Sequence, residues 1–366
     1  LCFVPLVALL TAGLLAGPAT AAPEDLVNVE KADAKADGPY KPEWDSLKKH
    51  EVPEWFRDAK FGIYFHWGVY SVPAYGSEWY PRNMHLKGRN EYKHHVETYG
   101  DPADYPYTKF VPQFKAEKFD AEAWAALFKK AGAQYAGPVA EHHDGYAMWD
   151  SEVTPWNAAD TGPTRDITGE LAKAIRARGM RLVTSFHHAR NNLWQKNGKW
   201  TGHYDGAKKD FPSLLEDDKT AVMYGYLPRD IFCDFWLAKL KEVIDDYRPD
   251  LMWFDSWLDE IPEAYQKEYC TYYFNRSKEW GKDVVVTCKQ RDLPIDVAVE
   301  DFEKGRADKL TEEAWITDDT ISFGSWCYTE DLKIKPTREV LHDFIDIVSK
   351  NGQLLLNISP KADGTI

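Results

Sequence analysis

Polar and aromatic side chains recur at the C-terminal ends of apolar, strand-length runs in this 366-residue chain. The groups at five such ends are His66-Trp67-Gly68, Glu141-His142-His143-Asp144-Gly145, His187-His188, Trp253-Phe254-Asp255 and Glu300-Asp301-Phe302-Glu303. A single carboxylate or histidine at a strand end is often a helix cap or a hydrogen-bonded core group. Five ends with the same character indicate one active site instead, because the C-terminal ends of barrel strands meet at one rim.

These side chains could support two kinds of chemistry. Histidine and carboxylate ligands could hold a metal ion that activates water. Alternatively, two carboxylates could cleave a glycosidic bond while histidines bind sugar hydroxyls. The histidines occur as the adjacent pairs His142-His143 and His187-His188. Neighbours in an extended strand point to opposite faces, which makes such pairs poor chelators, so the pattern favours a glycosidase over a metal-dependent barrel hydrolase.

The strand-length runs alternate with helical patterns. We predict strands over 61–65, 135–140, 181–186, 251–254, 284–287, 298–302 and 353–358, and helices over 119–131, 167–177, 231–247 and 337–350. Such alternation is typical of a parallel sheet. The chain is long enough for a barrel of about 250 residues, and its first strand lacks a dinucleotide-binding glycine pattern. We therefore predict an α/β fold, a (β/α)8-like TIM barrel.

Composition limits the possible partners. The net charge of −14 argues against nucleic acid and against an anionic membrane surface, because both reward a basic face. The chain also contains 15 tryptophans. A buried indole N–H needs a hydrogen-bond partner, so core packing alone rarely calls for so many. Flat aromatic platforms are typical of carbohydrate-binding clefts.

The N-terminal region predicts export. Residues 1–22 form an apolar run that ends in Ala19-Thr20-Ala21, the small-x-small pattern of a signal-peptidase site. A membrane anchor of about 20 apolar residues is the alternative, but the glycines and prolines favour cleavage. Residues 23–44 predict a solvated linker, which leaves 45–366 as the catalytic barrel. We expect a secreted or periplasmic protein, or a lysosomal one in a eukaryote, whose cysteines form disulfides or remain buried thiols.

Several motifs, in this order, resemble those of the α-L-fucosidases, glycoside hydrolase family 29. They are 55–68 (WFRDAKFGIYFHWG), Glu78-Trp79-Tyr80, 141–146 (EHHDGY) with Trp149-Asp150-Ser151, Trp253-Phe254-Asp255 and 351–358 (NGQLLLNI). The resemblance implies a retaining exo-glycosidase that hydrolyses terminal α-L-fucosyl residues of oligosaccharides or glycoconjugates and needs no metal or organic cofactor. A catalytically inactive fucose-binding protein is the second alternative to this function.

The resemblance also implies roles for individual residues. Asp255 corresponds to the nucleophile. The positions that hold the hydroxyls and ring of fucose correspond to His66, Glu78, Trp79, His142 and His143. Trp253 corresponds to a residue that lines the sugar site beside the nucleophile. Arg291 lies where the family often has a sugar-contacting arginine.

The general acid/base of the family lies on a variable loop, which leaves two candidates here. Glu303 is the first because of its spacing from Arg291, and Glu300 is the second. Alternation along a strand places these two on opposite faces, so we expect at most one to point into the site.

The chain departs from the family at several positions. Glu141 stands where a lysine is common, and Trp315-Ile316-Thr317-Asp318 replaces a Trp-Glu-Thr motif. The family also commonly has a β-sandwich after the barrel. Because this sequence stops at Ile366, we expect the sandwich and the closing barrel helix to be missing from it.

Overall fold

The barrel predicted from the strand pattern is present in the structure, a computed structural model that describes residues 22–366. Eight parallel strands close into a barrel in chain order, and the last pairs with the first. The strands are β1 (Phe61–Phe65), β2 (Tyr135–Glu141), β3 (Arg181–Phe186), β4 (Leu251–Phe254), β5 (Val285–Lys289), β6 (Val299–Asp301), β7 (Trp315–Thr320) and β8 (Gly352–Ile358). The prediction of a TIM barrel is therefore confirmed.

Seven of these strands were predicted from the sequence, with ends that differ by up to two residues. The prediction missed β7, because its apolar residues do not form a run. Along β7, Ile316 belongs to the interior core and Asp318 lies on the same face two residues later. A strand that carries charge on the inner face of a barrel lacks the apolar signal on which strand prediction depends.

Helices and short hairpins complete the fold. The α-helices are α1 (Trp44–Leu47), α2 (Glu54–Ala59), α3 (Tyr80–Asn83), α4 (Asn90–Thr98), α5 (Ala121–Ala131), α6 (Ile167–Ala177), α7 (Asp205–Asp210), α8 (Asp218–Met223), α9 (Arg229–Tyr247), α10 (Glu263–Glu279) and α11 (Thr337–Ser349). Within residues 22–366, seven 3-10 helices span Pro23–Leu26, Glu30–Asp33, Val69–Ser71, Tyr107–Gln113, His188–Asn191, Pro212–Glu216 and Leu258–Glu260. Antiparallel hairpins pair Trp194–Lys196 with Lys199–Thr201 and Ser322–Phe323 with Lys333–Ile334.

Local sequence signals account for the helix boundaries. The side chain of Asp120 accepts a hydrogen bond from the third residue of α5, and Asp166 does the same for α6. These are N-caps, which satisfy backbone N–H groups that have no partner inside the helix. Gly132 ends α5 in the left-handed conformation at φ +97°, which glycine adopts without steric cost.

The interior of the barrel changes from apolar to charged towards the C-terminal ends of the strands. Its apolar part is formed by Tyr64, Tyr135, Val139, Val183, Leu251, Trp253, Val285, Val299, Ile316 and Leu355. Above this layer, the side chains of Lys289, Asp301 and Asp318 are also buried. Residues 290–298 and 302–314 form loops, so the ends of β5 and β6 pass directly into the rim that carries the site.

The prediction of a solvated linker over 23–44 is wrong. Ala32 and Tyr40 belong to the core, and Leu26, Val27 and Val29 pack against it. The ammonium group of Lys241 on α9 is buried and donates to the backbone oxygens of Ala32 and Ala34, each at 2.7 Å. The prediction rested on the polar side chains of the segment. Its packing depends instead on its backbone carbonyls, which accept hydrogen bonds from a buried lysine.

Three other expectations concern the termini and the cysteines. The predicted signal peptide falls almost wholly on residues 1–21, which lie outside the described residues. Within residues 22–366, no helix is long and apolar enough to cross a bilayer. The cysteines of the described chain, Cys233, Cys270, Cys288 and Cys327, are all buried free thiols, so of the two alternatives for them the structure has the thiols.

The contact between Lys241 and the N-terminal segment gives a stability prediction. We expect Lys241→Met to lower the free energy of unfolding by about 2–3 kcal/mol, because the buried ammonium loses its hydrogen bonds to Ala32 and Ala34 and its ion pair with Glu268. Lys267→Met is the control, since Lys267 makes a surface i,i+4 pair with Glu263 on α10, and such a pair contributes less than about 0.5 kcal/mol. Urea unfolding followed by circular dichroism measures both values. Equal stability of the two variants would contradict the account of residues 23–44.

Candidate active site

A pocket of about 180 Å³ opens at the C-terminal rim of the barrel. It is lined by His66, Glu78, Trp79, His142, His143, His187, Asp255, Ser256, Trp257, Lys289, Gln290, Glu303, Asp318 and Trp326. Six of the residues proposed from the sequence to form the sugar site and its nucleophile are therefore together: His66, Glu78, Trp79, His142, His143 and Asp255. The volume is far below that of a drug-sized ligand site of about 300–1,000 Å³ and suits a single small sugar residue.

Asp255 is the most densely contacted carboxylate of the pocket. It directly follows β4, and its Oδ2 atom accepts hydrogen bonds from His143 Nε2 at 3.1 Å and His187 Nδ1 at 3.2 Å. Its Oδ1 atom lies 3.1 Å from Lys289 Nζ. Burial alone would raise the pKa of Asp255, but Lys289 and the two histidines outweigh it and hold this pKa well below the usual range. The side chain is therefore an anion at neutral pH.

The histidines of the pocket are neutral. Burial lowers the pKa of His66, His142 and His187, and it lowers that of His143 to about 4 although Asp255 opposes the shift. The Nδ1 atom of His66 bonds Asn357 Oδ1 at 2.9 Å, so this nitrogen carries the proton and Nε2 is an acceptor. Neutral imidazoles of this kind can exchange hydrogen bonds with sugar hydroxyls.

The two pairs of adjacent histidines are oriented differently, although each pair lies just after a strand. His188 turns away from the pocket towards the backbone oxygen of Trp236 at 3.4 Å. His142 and His143 both line the pocket, with ring centroids 4.4 Å apart. The register of β2 shifts between Val139 and Glu141, and the pair follows the strand instead of lying in it, so alternation does not apply there.

This arrangement also brings possible metal ligands together. Single ligand atoms of His66, His142 and His187 lie within 4.8 Å of one another, and so do those of His143, His187 and Asp255. Neither of these two groups contains both members of an adjacent pair, since His142 belongs to the first and His143 to the second, which agrees with the expectation that adjacent histidines are poor chelators. The same nitrogen atoms can serve as hydroxyl ligands, so their convergence is compatible with both kinds of chemistry considered from the sequence.

Glu78 and Trp79 form one wall of the pocket. The Oε2 atom of Glu78 accepts a hydrogen bond from the backbone N–H of Trp326 at 3.0 Å. Burial raises the pKa of Glu78. The ring of Trp79 stands edge-on to His143, with centroids 5.0 Å apart, and lies 6.0 Å from Trp257. A carboxylate beside a wall of indole rings suits a ligand that has both hydroxyl groups and apolar faces.

Of the two candidate acid/base residues, the structure brings only Glu303 to the pocket. Glu303 lies in the turn after β6, and its Oε2 atom is 3.1 Å from Lys289 Nζ. Glu300 lies on the outside of the barrel, where it lines a separate cavity of about 680 Å³ and accepts from Arg291 Nε at 3.2 Å. The expectation that at most one of the two points into the site agrees with the geometry.

Two residues assigned to sugar contact from the resemblance do not line the pocket. Arg291 is in the turn that follows β5, with its side chain 67% exposed and paired with Glu300. Trp253 is fully buried in the barrel interior below the site, where its indole N–H donates to Asp301 Oδ2 at 2.6 Å. The cation of the pocket is instead Lys289, two residues before Arg291, because the last residue of β5 shares the inward face with Val285 and Thr287.

Sequence reasoning did not assign several residues of the pocket. His187 was noted only as a strand-end histidine, and Lys289 lay beyond the predicted end of β5. Asp318 lay on the unpredicted β7. The remaining missed residues, on the loops of the rim, are Ser256, Trp257, Gln290 and Trp326. Continuing the alternation of inward-facing residues along β5 from Val285 would have placed Lys289 in the site. The loop residues form no pattern from which their position could be predicted.

Known proteins with similar sequences belong to the family that the motifs of the chain resemble. The α-L-fucosidase family model matches residues 27–366. Tissue α-L-fucosidase of Rattus norvegicus is 32% identical over 349 residues, which cover 89% of this chain and 67% of the relative. Tissue α-L-fucosidase of Homo sapiens is 32% identical over 343 residues, with the same coverage of both chains.

A solved structure gives the same result. The crystal structure of Thermotoga maritima α-fucosidase in complex with fucose superposes with a TM-score of 0.69 at 32% identity, over 89% of this chain and 73% of that one. The chain thus spans about two thirds to three quarters of the length of these proteins. On these matches, the chain belongs to the α-L-fucosidase family of glycoside hydrolases.

Proposed function

We propose that this protein is a retaining exo-glycosidase that removes terminal α-L-fucosyl residues from oligosaccharides and glycoconjugates, with Asp255 as nucleophile and Glu303 as general acid and base. The observation that carries the proposal is the environment of Asp255. A buried carboxylate held ionised by one ammonium and two neutral imidazoles is suited to attack an anomeric carbon. The family shared with the Thermotoga fucosidase, whose structure contains fucose, supports fucose as the sugar.

The position of Glu303 supports retention of configuration. Oxygen atoms of Asp255 and Glu303 bond the same Lys289 nitrogen at 3.1 Å. They therefore lie no more than about 6 Å apart, which fits the separation of about 5–5.5 Å in retaining enzymes. Inverting enzymes separate the two groups by about 6.5–9.5 Å to admit a water molecule between them.

Two displacements then follow. In the first, a carboxylate oxygen of Asp255 forms a bond to the anomeric carbon, the bond from that carbon to the leaving oxygen breaks, and Glu303 gives its proton to that oxygen. In the second, Glu303 takes a proton from water, the water oxygen bonds to the anomeric carbon, and Asp255 leaves as a carboxylate. The side chain of Glu303 is 45% exposed, which suits a residue on the side where the leaving group departs and water enters.

The remaining residues of the pocket supply recognition. His66, Glu78, His142 and His143 offer hydrogen-bond partners for the hydroxyls of fucose, and a site built for a hydroxyl rejects sugars that lack it. The indole rings of Trp79, Trp257 and Trp326 offer apolar surface for the C5 methyl group. A pocket for one residue implies cleavage at chain ends.

We further propose that residues 45–366 form the catalytic barrel and that the protein acts after export. The export proposal rests on the signal-peptide pattern over residues 1–22. Relatives that include a plasma α-L-fucosidase of Homo sapiens are in keeping with it.

The role of Lys289 in ionising Asp255 gives a pH prediction. A protonated Asp255 cannot attack, so activity falls as pH drops through its pKa. Lys289 lowers that pKa, and we therefore expect Lys289→Met to move the acidic limb of the pH profile of kcat/KM to higher pH. An aryl α-L-fucoside is the substrate. Lys335→Met is the control, because Lys335 pairs with Asp319, outside the pocket, and an acidic limb that coincides in all three proteins would contradict the assignment.

The acid/base assignment is tested by a pair of matched variants. With a fucoside of poor leaving group, we expect Glu303→Ala to lower kcat/KM by about 10²–10⁴-fold, and azide to restore turnover with an activated aryl fucoside by replacing water. Glu300→Ala should stay within about threefold of the parent protein, because Glu300 lies outside the barrel. Azide rescue of the Glu300 variant alone would reverse the assignment. A parent protein that binds L-fucose but hydrolyses no fucoside would be the inactive binding protein.

A further inference from the structure

Lys289 contacts three carboxyl groups at once. Its Nζ atom lies 3.1 Å from Asp255 Oδ1, 3.1 Å from Glu303 Oε2 and 3.4 Å from Asp318 Oδ2. A lysine ammonium has three N–H donors, so each can be directed to one carboxyl group. The side chain is only 5% exposed, which keeps water from competing for these donors.

The contact with Asp318 fixes the ammonium from below. Tyr64 donates to Asp318 Oδ2 at 2.8 Å, and the face of the Trp253 ring lies 4.6 Å from Lys289 Nζ. Burial raises the pKa of Asp318 well above the usual range, and the neighbouring Asp301 raises it further. Asp318 therefore holds the ammonium in place at the floor of the pocket, at 3.4 Å, the longest of its three distances to carboxyl groups.

On the proposed function, the carboxyl group that needs this positive charge changes during catalysis. Before the first displacement, Asp255 is a carboxylate and Glu303 holds the proton to be donated. In the fucosyl-enzyme, Asp255 is a neutral ester and Glu303 is a carboxylate. One of the two groups is therefore charged in each half of the cycle, and it is a different one each time.

We propose that Lys289 is a positioning residue that serves both carboxyl groups in turn, stabilising Asp255 in the free enzyme and Glu303 once the fucosyl-enzyme has formed. Equal 3.1 Å distances allow this without movement of the ammonium. In the second step, the charge holds Glu303 as the carboxylate that accepts a proton from water. A compact point charge suits this task better than the planar fork of an arginine, which matches one carboxylate at a time.

The competing explanation is a lysine that stabilises Asp255 alone. Such a residue would also slow the second step when it is removed, because Asp255 regains its negative charge as it leaves. The two explanations differ in whether the effect depends on Glu303. A double-mutant cycle measures this dependence, because it isolates the coupling between two residues.

The cycle compares the parent protein, Lys289→Met, Glu303→Ala and the double variant on 2,4-dinitrophenyl α-L-fucoside without azide, so that water is the nucleophile in all four proteins. This leaving group departs without a proton, so the fucosyl-enzyme accumulates and its breakdown follows a burst of 2,4-dinitrophenolate in stopped flow. We expect Lys289→Met to slow breakdown about a hundredfold when Glu303 is present, and by less than about tenfold in the Glu303→Ala background, where its partner is gone.

The outcomes separate the inference from the function on which it rests. An equal loss from Lys289→Met in both backgrounds would overturn the role towards Glu303 and leave the fucosidase assignment intact. A parent protein that shows neither burst nor turnover would overturn the proposed function, and the inference with it. If Lys289→Met does not fold, Lys289→Arg takes its place in the same cycle, with a smaller loss that must still depend on Glu303. Lys335→Met should leave the burst and its decay unchanged.

Discussion

An ionised carboxylate at the bottom of a buried pocket costs several kcal/mol unless donors and a cation surround it. Four strands of the barrel position Asp255 and the groups that surround it. It follows β4 itself, His143 follows β2, His187 follows β3, and Lys289 ends β5. These groups are distant in sequence, and the pairing of β2, β3, β4 and β5 as consecutive neighbours in the sheet brings them within about 3 Å of one carboxylate. The ionisation of Asp255 therefore depends on these four strands together.

The buried ionisable side chains at the floor of the pocket extend the same constraint into the core. Lys289, Asp301 and Asp318 replace the apolar side chains that usually fill a barrel interior. Partners two strands away in the sheet contact the two aspartates: the indole of Trp253 on β4 donates to Asp301 on β6, and the phenol of Tyr64 on β1 donates to Asp318 on β7. Trp253 thus contributes to the site by holding its floor. The resemblance implied contact between Trp253 and the sugar, but Trp253 precedes Asp255 by two residues on the same inward face and therefore lies deeper in the barrel.

Much of this arrangement could be predicted from the sequence, and the failures have physical reasons. Apolar runs located seven strands, and the groups at their ends identified Asp255 and most of the recognition residues. β7 was missed because its inward residues are charged, and residues 23–44 were misassigned because a buried lysine on a distant helix binds their backbone. Arg291 was assigned and Lys289 was overlooked because the resemblance supplied the type of residue, whereas strand alternation decides which residue faces inward. The partners of Glu303 could not be derived from spacing, since they depend on a turn that follows β6.

Identification of the carboxylate that becomes esterified tests the central claim most directly. A 2-deoxy-2-fluoro-L-fucosyl fluoride forms the ester but slows its hydrolysis, because the fluorine destabilises the oxocarbenium-like transition state. After brief treatment and proteolysis, peptide mass spectrometry should find one fluorofucosyl group per chain, attached to Asp255, and none in the Asp255→Asn variant. A label on Glu303 or Asp318, or turnover of fucosides by a chain that takes up no label, would contradict the account.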